Sequence, residues 1–192
     1  MTVLRILAYP DPRLTICAPP VEDVQADEIQ KMIADMVETL ENTPHCGGLA
    51  ATQLDIASPK RIFVFYDFIE GKDDQKPVIT VAINPEILST EGEVYEEEGC
   101  MSVFPQLVSA KVTRPKRTHM RALNPKGEWV EYIREGYLAK NFMHEIDHLN
   151  GKLYIDYLKP LKRKLLDAKM EKLNRLISKK QKTQENQETQ GS

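Results

Sequence analysis

The stretch His144-Glu145-Ile146-Asp147-His148 sets two imidazoles four residues apart with a carboxylate between them. On a helix, positions i and i+4 share one face with their Cβ atoms about 5–6 Å apart, so both rings can grip a single ion. Glu145 sits one step round from His144, close to where a water on that ion would lie. The chain has only four histidines. A chance pair on a solvated helix is the bland alternative, and the spacing around a glutamate argues against it.

A catalytic metal centre needs a third protein ligand and one open position. Downstream, His148-Leu149-Asn150-Gly151-Lys152-Leu153-Tyr154 keeps the glycine of the metzincin proteases but sets Tyr154 where their third histidine stands. The third donor must therefore lie elsewhere. Cys100 is the best candidate: Glu98-Gly99-Cys100-Met101-Ser102 ends a predicted strand, its glycine allows close backbone approach, and thiolate binds iron or zinc strongly. Glu171, on a later helix, is the rival, as in thermolysin-like proteases.

These residues need elements to hold them. Ile29, Met32, Ile33, Met36, Val37 and Leu40 recur at helical spacing and predict an amphipathic helix over about 25–41. Between Lys60 and Arg134 the pattern changes to short β-rich runs: 61–66, 78–83, 93–97, 107–112, 118–123 and 129–133, divided by Gly, Pro, Asn and Asp. Residues 137–150 return to helical character, and Gly151 is placed to end that helix. A last helix, about 160–181, carries Leu161, Leu165, Leu166, Met170, Leu173 and Ile177 on one side and lysines on the other. This order predicts an α+β fold: antiparallel β-sheets packed around a central metal-binding helix, with amphipathic helices at both ends.

Composition agrees with one domain. The 192 residues are 41% hydrophobic, enough for a single core, and no apolar run approaches the roughly 20 residues of a bilayer crossing. The N-terminus shows no secretory pattern, so a cytoplasmic protein is expected, and its cysteines, Cys17, Cys46 and Cys100, are expected to stay reduced. Residues 159–182 hold ten basic and two acidic side chains although the whole chain is at −3, and residues 178–192 contain no hydrophobic residue. The reading is a single domain over 1–177 and a polar, disordered tail over 178–192.

Three segments, Gly48-Leu49-Ala50-Ala51-Thr52-Gln53, Glu98-Gly99-Cys100-Met101-Ser102 and His144-Glu145-Ile146-Asp147-His148, resemble the three ordered motifs of the peptide deformylases. The resemblance spans roughly residues 5–175. It implies hydrolysis of the formyl group from N-formylmethionyl nascent polypeptides, with release of formate. It also implies that Cys100, His144 and His148 hold one divalent metal ion, ferrous iron above all, with zinc, nickel or cobalt as substitutes. Glu145 would move the proton, while the Gln53 amide and the Met101 backbone N–H would face the oxyanion. Gly48 would let an extended substrate lie against the backbone, and Tyr137 and Asn141, seven and three residues before His144, are candidates for the pocket that receives the first side chain.

The chain departs from the common pattern in places. Cys46-Gly47-Gly48 puts a thiol where the first motif has glycine, Phe104 lengthens the segment 104–109, and Lys140 and Asn141 make the ligand helix more polar than expected. The basic C-terminal helix reads either as a solvated face or as a contact with ribosomal RNA. A monomer with no membrane contact is expected. Two other readings compete: an endopeptidase using Glu171, and a non-catalytic ribosome-associated module with a closed structural metal.

Overall fold

The computed structural model describes residues 2–68 and 77–190, with side chains described as far as residue 177. Helix α1 (Asp27–Glu41) buries Ile29, Ile33, Met36 and Leu40, and Asp27 and Glu28 lie in its first turn, where the helix dipole favours negative charge. A five-stranded antiparallel sheet follows in the order β1 (Gly48–Ala50), β2 (Ile62–Asp67), β3 (Val78–Glu91), β6 (Arg117–Leu123), β7 (Trp129–Glu135). Strands β4 (Val94–Gly99) and β5 (Ser109–Arg114) form a separate antiparallel pair. Helix α2 (Gly136–Leu149) packs on the large sheet, and α3 (Pro160–Gln190) ends the described chain. The expected α+β class is what folds.

Strand β2 explains the layering. Successive side chains point to opposite faces, and both faces here are covered. Ile62 and Val64 join α1 in one core, while Phe63 and Phe65 meet Leu138 and Phe142 of α2 in another. Phe65 and Phe142 pack edge-on with centroids 5.0 Å apart. A third core gathers Leu7, Leu14, Val103, Val112, Tyr154 and Met170 behind the small sheet. Helix α2 is thus enclosed, and the side chains of its last six residues, His144 to Leu149, are all buried.

Three expectations change. The run expected to stop at Ile83 continues to Glu91, because the ladder skips from Ile83 to Glu86 at a bulge that absorbs Pro85, which has no N–H to donate. Asn84 takes φ +49 there, and its amide bonds both Val21 N and Val21 O. Strand β1 lies outside the runs expected from the sequence; three residues carry too little periodicity to betray a strand. In α3 only Met170 of the expected stripe is buried, flanked by Leu166 and Leu173, while Leu161 and Leu165 are exposed. That helix extends to Gln190, past the 181 expected, and Lys, Gln and Glu are good helix formers; residues 191–192 lie outside the described chain.

Gly151 closes α2 as the spacing predicts. Its φ is +70, and its N–H donates to His148 O at 3.0 Å. A Cβ at this position would fall 2.4 Å from Thr15 O, so backbone from the N-terminal segment abuts the helix end. Gly151→Ala should lower stability by about 1–3 kcal/mol, combining left-handed strain with that clash. Urea denaturation followed by circular dichroism checks it; an unchanged midpoint would mean the N-terminal segment yields freely.

Candidate metal centre

Two elements bring three electron-pair donors together. Cys100 follows the last residue of β4, and His144 and His148 share the inner face of α2. Cys100 Sγ lies 3.2 Å from His148 Nε2, which lies 3.2 Å from His144 Nε2. All three ligand atoms fall within 4.8 Å of one another, and all three side chains are buried. A single proton can bridge one of these contacts but not satisfy all of them. A cation at their centre serves all three, and thiolate with two imidazoles is a donor set suited to a divalent transition metal. The residues therefore fit the ion that the motif implies.

The ring orientations are set from behind. Glu98 Oε1 accepts from His144 Nδ1 at 2.6 Å, which leaves Nε2 to present its lone pair. Glu98 is in turn clamped by Arg114, whose Nε and Nη2 reach its two oxygens at 2.9 and 2.8 Å. The same guanidinium donates Nη1 to Asp147 Oδ2 at 2.6 Å, and Asp147 Oδ1 accepts from Tyr157 at 2.8 Å. Arg114, Glu98 and Asp147 are all buried. Burial would raise the Glu98 carboxyl, but hydrogen bonds from Arg114 and His144 outweigh it and hold its pKa down to about 2. Burial disfavours charge on both rings; Cys100 and Glu98 nonetheless draw the proton to His144, which pushes His148 further down.

Glu145 lies on the same turn of α2 and is 1% exposed. Its Oε2 has no hydrogen-bond partner among the described residues, an expensive state for a buried carboxylate unless something else meets it. Burial drives its pKa up to about 7, Glu98 adding to the rise while His144 and the Ala50 N–H oppose it. Gln53 is fixed by its carbonyl: Oε1 accepts from Ala50 N at 2.9 Å, so the amide nitrogen turns inward, to Cys100 Sγ at 3.4 Å and Ser102 Oγ at 3.3 Å.

A cavity of about 300 Å³ opens beside these groups. Gly48, Gln53, Cys100, Met101, Tyr137, Asn141, His144 and Glu145 all line it, so the site residues expected from the sequence converge, with His148 behind them. Gly48 is tight: a Cβ there would stand 2.9 Å from Glu145 Oε1 and 3.0 Å from Asn141 Nδ2. The Cys46 thiol is buried and meets Gly48 O at 3.1 Å; burial and then the charge of Glu145 raise its pKa to about 12. Glu171 does not join the cluster. It is exposed on α3 and pairs with Arg175 one turn away, which removes it as a third ligand.

Sequence reading missed the supporting shell. Glu98 and Asp147 stand inside the quoted motifs, but nothing in their local sequence marks them as buried partners of one arginine. Arg114 carries no local signal, because a strand arginine before a proline reads as an ordinary edge residue.

The family model of polypeptide deformylase matches residues 3–164. Peptide deformylase 1 of Coxiella burnetii is 45% identical over 173 residues, covering 90% of this chain and 98% of that protein. The peptide deformylase structure from Legionella pneumophila superposes with a TM-score of 0.77 at 38% identity, covering 92% of this chain and 98% of that one. The Ehrlichia chaffeensis peptide deformylase in complex with actinonin gives 0.78 at 35% identity, covering 91% and 99%. With the donor set, the fold and the matched length in agreement, the chain belongs to the polypeptide deformylase family, metal-dependent hydrolases that remove the N-formyl group from newly made polypeptides.

Proposed function

We propose that Cys100, His144 and His148 are the metal ligands of this enzyme, that Glu145 moves the proton, and that Gln53 and the Met101 N–H stabilise the oxyanion. The observation that carries this reading is the convergence of three buried donors and an unpartnered buried carboxylate on one cavity. Three protein donors among the described residues, rather than four, favour a catalytic over a structural centre. Ferrous iron is the proposed ion, with zinc, nickel and cobalt compatible with the same donors.

A divalent cation held by Cys100, His144 and His148 would supply Lewis acidity toward water and the formyl carbonyl. Glu145, buried beside the ligands, accepts the proton of the attacking water and delivers it to the departing amine nitrogen. As negative charge grows on the formyl oxygen, the inward-turned Gln53 Nε2 and the Met101 N–H answer it. Gly48, on the edge strand β1, offers bare backbone to an extended peptide, and Tyr137 and Asn141 border the seat of its first side chain.

The partner beyond the peptide is read from α3. Its lysines support a salt-sensitive contact with ribosomal RNA, which would hold the enzyme near emerging chains. We take it to act in the cytoplasm as a monomer; no helix among the described residues is long and apolar enough to cross a membrane.

Glu145→Gln should cut formate release from a formyl-Met peptide by about 10²–10⁴ while metal content stays intact. Cys100→Ala should lose the ion, measured by elemental analysis after anaerobic purification, whereas Glu171→Ala should keep it. An active glutamine variant, or metal retained without the thiol, overturns these roles. Arg114→Met should weaken metal affinity about 10–100-fold, read by chelator competition, because Glu98 and Asp147 lose their shared partner; unchanged affinity would limit that bridge to folding. Co-sedimentation with ribosomes should fall steeply between low and moderate salt, and charge reversal at Lys162 and Lys169 should abolish it; salt-insensitive pelleting would count against an RNA contact.

A further inference from the structure

The cavity is lined by more apolar than polar surface, yet its wall away from the ligands carries several hydrogen-bonding groups. Cys46, Met101 and Pro105 give it apolar surface there, Glu97 an acceptor, and Gln106, Tyr137, Lys140 and Asn141 end in groups that can donate hydrogen bonds. Gly47 makes room for one of them: a Cβ at that position would fall 1.7 Å from the Tyr137 hydroxyl, so the phenol reaches inward only because residue 47 has no side chain. Asn141 is 7% exposed, and its Nδ2 makes a long bond of 3.4 Å to Gly47 O. Lys140 is engaged elsewhere, with Glu96 Oε2 at 3.3 Å and Glu97 O at 3.2 Å. Besides the exposed Gln106 amide, two donors on α2 border the cavity without a strong partner of their own: the buried Asn141 amide and the hydroxyl of the half-exposed Tyr137.

An all-hydrocarbon pocket rejects a side chain that ends in an acceptor, because burying that acceptor without a donor costs tenfold or more in affinity. These two donors remove the penalty. We propose that the cavity seats a linear first side chain ending in a hydrogen-bond acceptor, so that the enzyme deformylates chains beginning with methionine sulfoxide about as fast as those beginning with methionine. Asn141 and Tyr137 are the specificity-determining residues. This rests on the reading of the cavity as the seat of the first residue.

The experiment compares kcat/KM on four formylated tripeptides that differ only in the first residue: methionine, methionine sulfoxide, glutamine and norleucine. Glutamine carries the same acceptor position without sulfur, so it separates acceptor recognition from a preference for oxidised sulfur. In the wild-type holoenzyme the sulfoxide and glutamine peptides should lie within about tenfold of methionine. Asn141→Leu should lower both at least tenfold and raise norleucine, a crossing that a folding defect cannot produce because it would lower all four alike. If that variant folds poorly, Tyr137→Phe, which deletes only the hydroxyl at the cavity mouth, must lower the sulfoxide-to-norleucine ratio. Sulfoxide and glutamine peptides more than tenfold slower than methionine in the wild type, or ratios unmoved in the variants, overturn the proposal. Failure to cleave the formyl-Met peptide at all would instead remove the functional reading beneath it.

Discussion

One buried guanidinium holds the site together. The metal donors come from two different elements, Cys100 just after β4 of the small sheet and the histidine pair on helix α2. Arg114 on β5 joins them, gripping Glu98 just before the cysteine and Asp147 just before His148. Burying three charges is expensive, and well-packed apolar groups of the same shape are often as stable or more so. What the bridge provides is register. It fixes the strand that carries the sulfur against the helix that carries the nitrogens, and through Glu98 it fixes the tautomer of His144.

Charge balance explains the remaining acid. Counting Cys100 as a thiolate, the inner shell holds three negative groups with Glu98 and Asp147, and Arg114 with a divalent cation would match them. Glu145 is the carboxylate left over, buried and without a partner for Oε2. Its elevated pKa follows from that position, first through desolvation and then through the charge of Glu98. The environment that clamps Glu98 low therefore pushes Glu145 up, two residues of one type held in opposite directions.

The fold makes that arrangement possible by enclosing α2. A helix carrying two histidines and two carboxylates has a face that solvent would otherwise claim. Phe63 and Phe65 of β2 take its apolar side, Tyr154 stacks over His144 on the other with centroids 6.4 Å apart, and Thr52 bonds the His148 carbonyl. The polar face is left to meet the cysteine strand, with the cavity as its opening to solvent.

Much of this was legible in the chain. The i, i+4 histidine pair around Glu145, the position of Cys100 at a strand end, a first helix over about 25–41 and the end of α2 at Gly151 follow from local periodicity and residue chemistry, which depend on neighbours in sequence. The three ordered motifs named the family. Tertiary structure alone decided that Cys100 rather than Glu171 completes the donor set, that Arg114 ties Glu98 to Asp147, that β3 runs on through Pro85, and that Tyr137 leans over Gly47. Each of these is a contact between segments distant in the chain, or a bulge forced by a neighbouring strand. A linear pattern reports which face a residue prefers, not which partner arrives there.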